Sequence, residues 1–212
     1  MNNKNKIFCD HHGCWHEPRD IWLSWANLVT AVRTAAAVVL TMLAIAQHST
    51  TLLFAGLLAY WIGDMADGMV ARRLNRETRI GGTFDILCDR LCVALFYMTY
   101  ATWHHNMLIP IGIYMVQFMV LDNFLTLSFT HWPLKSPNYF YLVDRFIYKW
   151  NWSKPAKALN SSALVLVMVL TKSPLATSIL AAAIFALKVV SLRRLQQIGL
   201  PEVVGCTEAK TI

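Results

Sequence analysis

The chain has 212 residues, 56% of them hydrophobic and 15% charged, with a mean hydropathy of +0.43. Soluble domains carry about 25% charged residues, so the composition excludes an ordinary soluble domain and indicates an integral membrane protein. The net charge of +7 comes without any nucleic-acid-binding signature and reads as a basic face beside anionic lipid head groups.

Residues 1–18 read as a disordered polar tail, without the apolar core of a signal peptide. Within it, Cys9, His11, His12, Cys14 and His16 offer zinc-ligand chemistry, but their spacing fits no familiar finger, and an incidental tail is expected. The chain's five cysteines form no disulfide framework. Residues 19–25 place Trp22 and Trp25 just ahead of the first apolar run, as a short interfacial segment would.

Six apolar runs follow, at 27–46, 51–72, 82–103, 107–130, 156–171 and 174–190. Each is close to the roughly 20 residues that a spanning helix requires, and only helices satisfy their own backbone in lipid. The expectation is an all-α polytopic membrane protein: six transmembrane helices in one domain over 19–195, then a cytoplasmic tail over 196–212. Basic residues alternate between the loops. Arg72, Arg73, Arg76 and Arg79 mark the second, Lys135, Arg145, Lys149, Lys154 and Lys157 the fourth, and Arg193, Arg194 and Lys210 the tail. The other side holds only Lys172. The positive-inside rule then puts both termini in the cytoplasm, with the cell membrane as the location. The fourth loop, 131–155, interleaves Trp132, Phe140, Tyr148, Trp150 and Trp152 with basic residues, so an amphipathic surface helix is expected there.

Asp64, Asp67, Asp85 and Asp89 fall inside or beside two of these runs. One acid near the bilayer centre costs roughly 3 kcal/mol or more, so four require compensation. Asp64 and Asp67 are three apart and Asp85 and Asp89 four apart, which puts each pair on one helix face. Asp64 lies roughly 12 Å inside the cytoplasmic end of its span at 1.5 Å per residue, and the other pair opens the next span at similar depth. Facing one another, the four carboxylates suit two hard cations such as Mg2+ or Mn2+. Gly68, Ala71, Gly81 and Gly82 allow close approach, the N-terminus of the third span favours a phosphate, and Arg72 and Thr78 are placed to reach it. The competing reading pairs the acids with Arg33, Arg72 or Arg90 as structural salt bridges.

The pattern Asp64-x2-Asp67-Gly68-x2-Ala71-Arg72-x8-Gly81-x3-Asp85-x3-Asp89 resembles, without a departure, the signature of the CDP-alcohol phosphotransferase family. Asn27-x2-Thr30-x2-Arg33 resembles a second, weaker family feature near the cytidine site. The resemblance implies transfer of a phosphatidyl group from CDP-diacylglycerol to a polar alcohol, releasing CMP, by a homodimer. Carried over, Asp64, Asp67 and Asp85 hold two Mg2+ or Mn2+ ions, and Asp89 reaches one of them and acts as the base. Gly68, Ala71, Arg72, Thr78 and Gly81 then contact the CDP moiety, with Asn27 and Thr30 lining the nucleotide pocket.

The segment ARRLNRETRIG resembles the bacterial phosphatidylglycerophosphate synthases, which makes glycerol 3-phosphate the expected acceptor. In DILCDR, however, Ile86 and Arg90 replace the proline and lysine of those enzymes, and the ending resembles the phosphatidylinositol-phosphate synthases. Arg90, Arg145, Lys154, Lys157, Arg193 and Arg194 are the candidate clamps for an acceptor phosphate. Two alternatives stand beside this reading. One is transfer from a soluble CDP-alcohol to diacylglycerol. The other is a divalent-cation transporter using the same acids, although no internal repeat of the kind common in transporters is visible.

Overall fold

The computed structural model describes residues 24–73 and 77–199, and every regular element among them is helical. The polar tail, most of the interfacial segment with Trp22, and the C-terminal tail lie outside the described residues. Helix α1, Trp25–Gln47, starts where the Ser24 hydroxyl accepts from the Asn27 amide at 3.1 Å and stops at His48, whose φ of 51° is left-handed. Helix α2, Thr50–Arg73, returns after that tight corner. Helix α3, Arg79–Trp103, is capped by Thr78, whose hydroxyl accepts from the Gly81 amide at 3.0 Å.

A 3-10 turn at His105–Met107 leads into α4, Leu108–Val116, a π-helical segment at Gln117–Asp122, and α5, Asn123–Leu127. The sequence periodicity gave no sign of that widened turn, and such turns inside helices concentrate at functional sites. Beyond a 3-10 turn at Pro137–Leu142 come α6, Arg145–Asn151, α7, Lys154–Thr171, and α8, Pro174–Ile198. Serine caps and an early proline start both α7 and α8.

Four stretches are helical, long and apolar enough to cross a membrane: Trp25–Gln47, Thr50–Arg73, His105–His131 and Pro174–Ile198. They coincide with the first, second, fourth and sixth expected spans. The third expected span, 82–103, lies within the 25-residue α3, which carries Arg79, Asp85, Asp89 and Arg90. The fifth is helical too, with an apolar part confined to Ser162–Thr171.

Two apolar cores form within the bundle. One gathers Leu53, Phe96, Tyr97, Tyr114, Leu164, Met168 and Ala181, and the other Ile86, Leu125, Phe129, Phe140, Ile147 and Trp152. Along α8 the chain passes from Ala181 in the first core to Leu195 in the second, and from Tyr114 to Leu125 along the α4–α5 run. Between them lie the buried polar side chains of Lys188 and Ser191 on α8 and of Gln117 before α5. The fold therefore places a polar belt between the two apolar cores. The aromatic loop contributes to the second core, with Trp132, Phe140 and Trp152 buried while Trp150 and Tyr141 face outward. A surface helix was expected across this loop; its one α-helix is the short α6, and the 3-10 turn and the buried rings pack inward into the second core.

Candidate active site

Close packing of α1 against α2 sets the geometry. A Cβ built on Gly63 would fall 2.4 Å from the Cβ of Arg33, so only glycine lets the two backbones meet there. Arg33 is thereby delivered, 5% exposed, into the middle of the acids. Its Nε donates to Asp67 Oδ2 at 2.6 Å, and its Nη2 donates to Asp89 Oδ1 at 2.8 Å and to Asp85, with Asp64 Oδ1 3.8 Å away. Thr30 Oγ1 donates to Asp67 Oδ2 at 2.8 Å. The salt-bridge reading thus holds for Arg33, and it does not displace the metal reading. Single carboxylate oxygens of Asp64, Asp67 and Asp85 lie within 4.8 Å of one another. Three convergent carboxylates, oxygen donors only, fit a hard divalent cation such as Mg2+ or Mn2+.

The acids lie where two cavities meet. The first, of about 80 Å³, is lined by Asn27 and Thr30 from α1, by Asp67, Gly68, Ala71 and Arg72 from α2, and by Thr78, Gly81 and Asp85 at the start of α3. The structure thus gathers all seven residues expected to contact the nucleotide around one cavity. Gly81 is there because a Cβ would fall 2.8 Å from Asn27 Oδ1 and 2.9 Å from Thr78 Oγ1. The Arg72 guanidinium lies over Gly68, 3.1 Å from where a Cβ would be.

The second cavity, of about 200 Å³, is lined by Asp64, Asp85 and Asp89, by the buried Arg90, Gln117 and Lys188, and by Asp122 and the exposed Lys157. Asp122 receives Arg90 Nη2 at 2.6 Å and Lys188 Nζ at 2.7 Å. Lys188 also donates to Asn151 Oδ1 at 2.8 Å, and Asn151 donates on to Ser191 at 2.9 Å. Arg90 donates to the Phe118 carbonyl in the π segment at 2.8 Å. Arg90 is therefore not a partner of the four signature acids, because the helix turns its side chain toward Asp122. Of the other candidate clamps, Lys157 lines this cavity and donates to Asn138 at 2.6 Å, and Arg194 pairs with Asp144 at 2.9 Å. Arg145, Lys154 and Arg193 line neither cavity.

Asp85, Gly82, Ser136 and Asn138 line both cavities, so the start of the Pro137–Leu142 turn and the residue before it are part of a shared wall. Tyr139 fastens that wall to the loop ahead of α3 by donating its phenol to Glu77. Burial, reinforced by the Glu77 carboxylate, raises the pKa of this phenol above its ordinary value, which keeps it protonated.

Asp122, Lys188 and Gln117 are absent from the sequence-derived site. A signal existed: an acid within the fourth expected span and a lysine within the sixth are costly unless they pair or act.

An apolar helical bundle with four stretches long enough to cross a membrane and convergent carboxylates at the junction of two cavities belongs among the helical membrane proteins. The particular family follows from the sequence: residues 23–192 match the family described as CDP-alcohol phosphatidyltransferase, and the chain belongs to it. It is a membrane transferase of phospholipid biosynthesis. No curated protein and no solved structure matches the chain.

Proposed function

We propose that the chain transfers the phosphatidyl group of CDP-diacylglycerol to a hydroxyl of a polar alcohol, releasing CMP. The observation that carries this is the meeting of the two cavities at Asp85, with the nucleotide-type residues on one side and Asp89 on the other. Glycerol 3-phosphate is the acceptor that the ARRLNRETRIG segment favours. Six spans, cytoplasmic termini, placement in the cell membrane and a homodimer complete the reading, supported by the loop charges and the family resemblance.

In this mechanism the first cavity holds CDP, with Arg72 and the start of α3 beside its phosphates. Asp64, Asp67 and Asp85 would hold two Mg2+ or Mn2+ ions with Asp89 reaching one, and when bound these neutralise the pyrophosphate and the departing CMP. The acceptor hydroxyl attacks the β-phosphorus, the bond to the CMP oxygen breaks, and Asp89 takes the hydroxyl proton. Arg33 and Thr30 keep Asp67 and its neighbours aimed, so that positioning and electrostatics supply most of the acceleration.

The test feeds purified protein in mixed micelles with CDP-diacylglycerol and glycerol 3-phosphate, or with CDP-choline and diacylglycerol, and follows CMP. Release from the first pair is expected. No CMP from CDP-diacylglycerol with any alcohol refutes the proposal.

A further inference from the structure

Arg90 follows Asp89 in the chain, is 7% exposed, and has no part in the mechanism above. Its guanidinium is taken up by one neighbouring run. Nη1 donates to the Phe118 carbonyl at 2.8 Å, and Nη2 donates to Asp122 Oδ2 at 2.6 Å and, at the longer distance of 3.4 Å, to Thr126. The same group lies 3.9 Å over the Phe118 ring. Phe118, Asp122 and Thr126 are spaced by four, which sets them on one face of the run, and the first two belong to the π segment. Asp122 is itself held by Lys188 of α8 at 2.7 Å. A planar fork bound at both ends and stacked on a ring is a stiff anchor.

Neighbouring residues of an α-helix stand about 100° apart around its axis, so an anchor on Arg90 also sets the direction of Asp89. From the other side, Arg33 Nη2 donates to Asp89 Oδ1 at 2.8 Å. Helix α3 is thus held between two guanidiniums, one arriving from α1 and one that it sends into the α4–α5 run. Side-chain ends lie about 5–6 Å from a helix axis, so a rotation of about 10° shifts a carboxylate by roughly 1 Å. A misplacement of about 1 Å is enough to cost roughly 100-fold in rate. Neutralising Asp64, Asp85 and Asp89, which line the second cavity with Arg90, is not its task, because Arg33 is the cation in contact with them.

We propose that Arg90 is a positioning residue: tied to Phe118 and Asp122, it fixes the rotation of α3 and thereby aims the Asp89 carboxylate at the acceptor hydroxyl. This rests on the phosphatidyltransferase reading with Asp89 as its base. The π segment is then the socket for the tie, and Lys188 keeps Asp122 in place. Arg90 itself touches neither substrate nor the reacting atoms.

The experiment is a double-mutant cycle on the full chain in mixed micelles. CMP release from CDP-diacylglycerol is measured with the best of glycerol 3-phosphate, inositol 1-phosphate and inositol as acceptor. Arg90→Met should lower kcat roughly 100-fold. The KM for the alcohol and the calorimetric CDP affinity should stay near wild type, since Arg90 does not line the first cavity. In the Asp89→Asn background, where no base is left to aim, the same substitution should change kcat by no more than about 2-fold, the scatter of such cycles. An equal loss in both backgrounds overturns the inference, and so does full activity in Asp89→Asn alone. Arg90→Lys keeps the charge without the planar fork, so it should recover only part of kcat, and full recovery overturns the inference as well. If Arg90→Met does not fold, Arg90→Lys carries the same cycle. A contact with the alcohol through Nε, the one nitrogen of Arg90 without a partner among the described residues, would instead raise KM at unchanged kcat, which also overturns it. Absence of CMP from wild type with every acceptor removes the transferase reading beneath it.

Discussion

Replacing Arg33 by methionine keeps the aliphatic stem packed on Gly63 and removes the only cation in contact with all four signature acids among the described residues. Removing one partner from a buried ion pair costs about 3–5 kcal/mol. With two carboxylates at 2.6 and 2.8 Å and a third in contact, the upper end, about 5 kcal/mol, is expected in the presence of a chelator. Divalent cations should recover much of this, since one ion at 100 times its Kd stabilises by about 2.7 kcal/mol. Recovery should be larger than in wild type because the ion no longer shares the carboxylates with a guanidinium. The assay is denaturant unfolding in mixed micelles, wild type against Arg33→Met, in chelator and in saturating Mn2+. The gap between the two proteins should be narrower in Mn2+ than in chelator, by the amount by which the ion stabilises the variant more than wild type. A gap of the same size in both conditions would show that Arg33 stabilises through packing and not by neutralising the acids.

Asp89→Asn should lower turnover by about 10²- to 10⁴-fold, the usual contribution of a general base, while calorimetric titration with CDP finds an affinity close to wild type; retained activity removes its role as base. Gly81→Ala should weaken CDP binding, because its Cβ falls 2.8 Å from Asn27 Oδ1 and 2.9 Å from Thr78 Oγ1, and unchanged affinity would show that this corner yields freely. Asp122→Leu should destabilise by about 3–5 kcal/mol, leaving Arg90 and Lys188 uncompensated, and adding Lys188→Met should recover part of the loss in the same unfolding assay. The Tyr139 phenol is raised above its ordinary value by burial and by Glu77. Its contribution is therefore fully present below the unfolded phenol's range near pH 10 and fades only as pH climbs above it, so the stability advantage of wild type over Tyr139→Phe should shrink above about pH 10 in the same unfolding assay, and an advantage independent of pH would refute this.

The aspartates were legible because their spacing is a helix-face code: three apart on α2 and four apart on α3 leave little freedom once the helices are antiparallel neighbours. The lining of the first cavity was legible for a related reason, since Gly68, Ala71 and Gly81 are small where backbones and side chains approach. Arg33 was visible only as a possible partner, and its central position depends on Gly63, whose significance emerges when α1 and α2 are packed. The Asp122–Arg90–Lys188 group was hidden because its members lie far apart in the chain, on three elements whose rotation no single-helix pattern determines. The π segment was hidden as well, since one widened turn scarcely alters an apolar run. The aromatic loop misled in part: aromatic and basic residues alternate both in a surface helix and in a cap over a polar belt, and burial alone separates them.

The wall formed by Gly82, Ser136 and Asn138 separates the two cavities, yet both open onto Asp85. A donor in one chamber and an alcohol in the other can be present together and react directly at Asp85, with no lipid stored on the chain between half-reactions. The stereochemical record of a chiral β-phosphorus should accordingly show one inversion rather than retention, and the kinetics should follow a ternary-complex law with intersecting, not parallel, reciprocal lines.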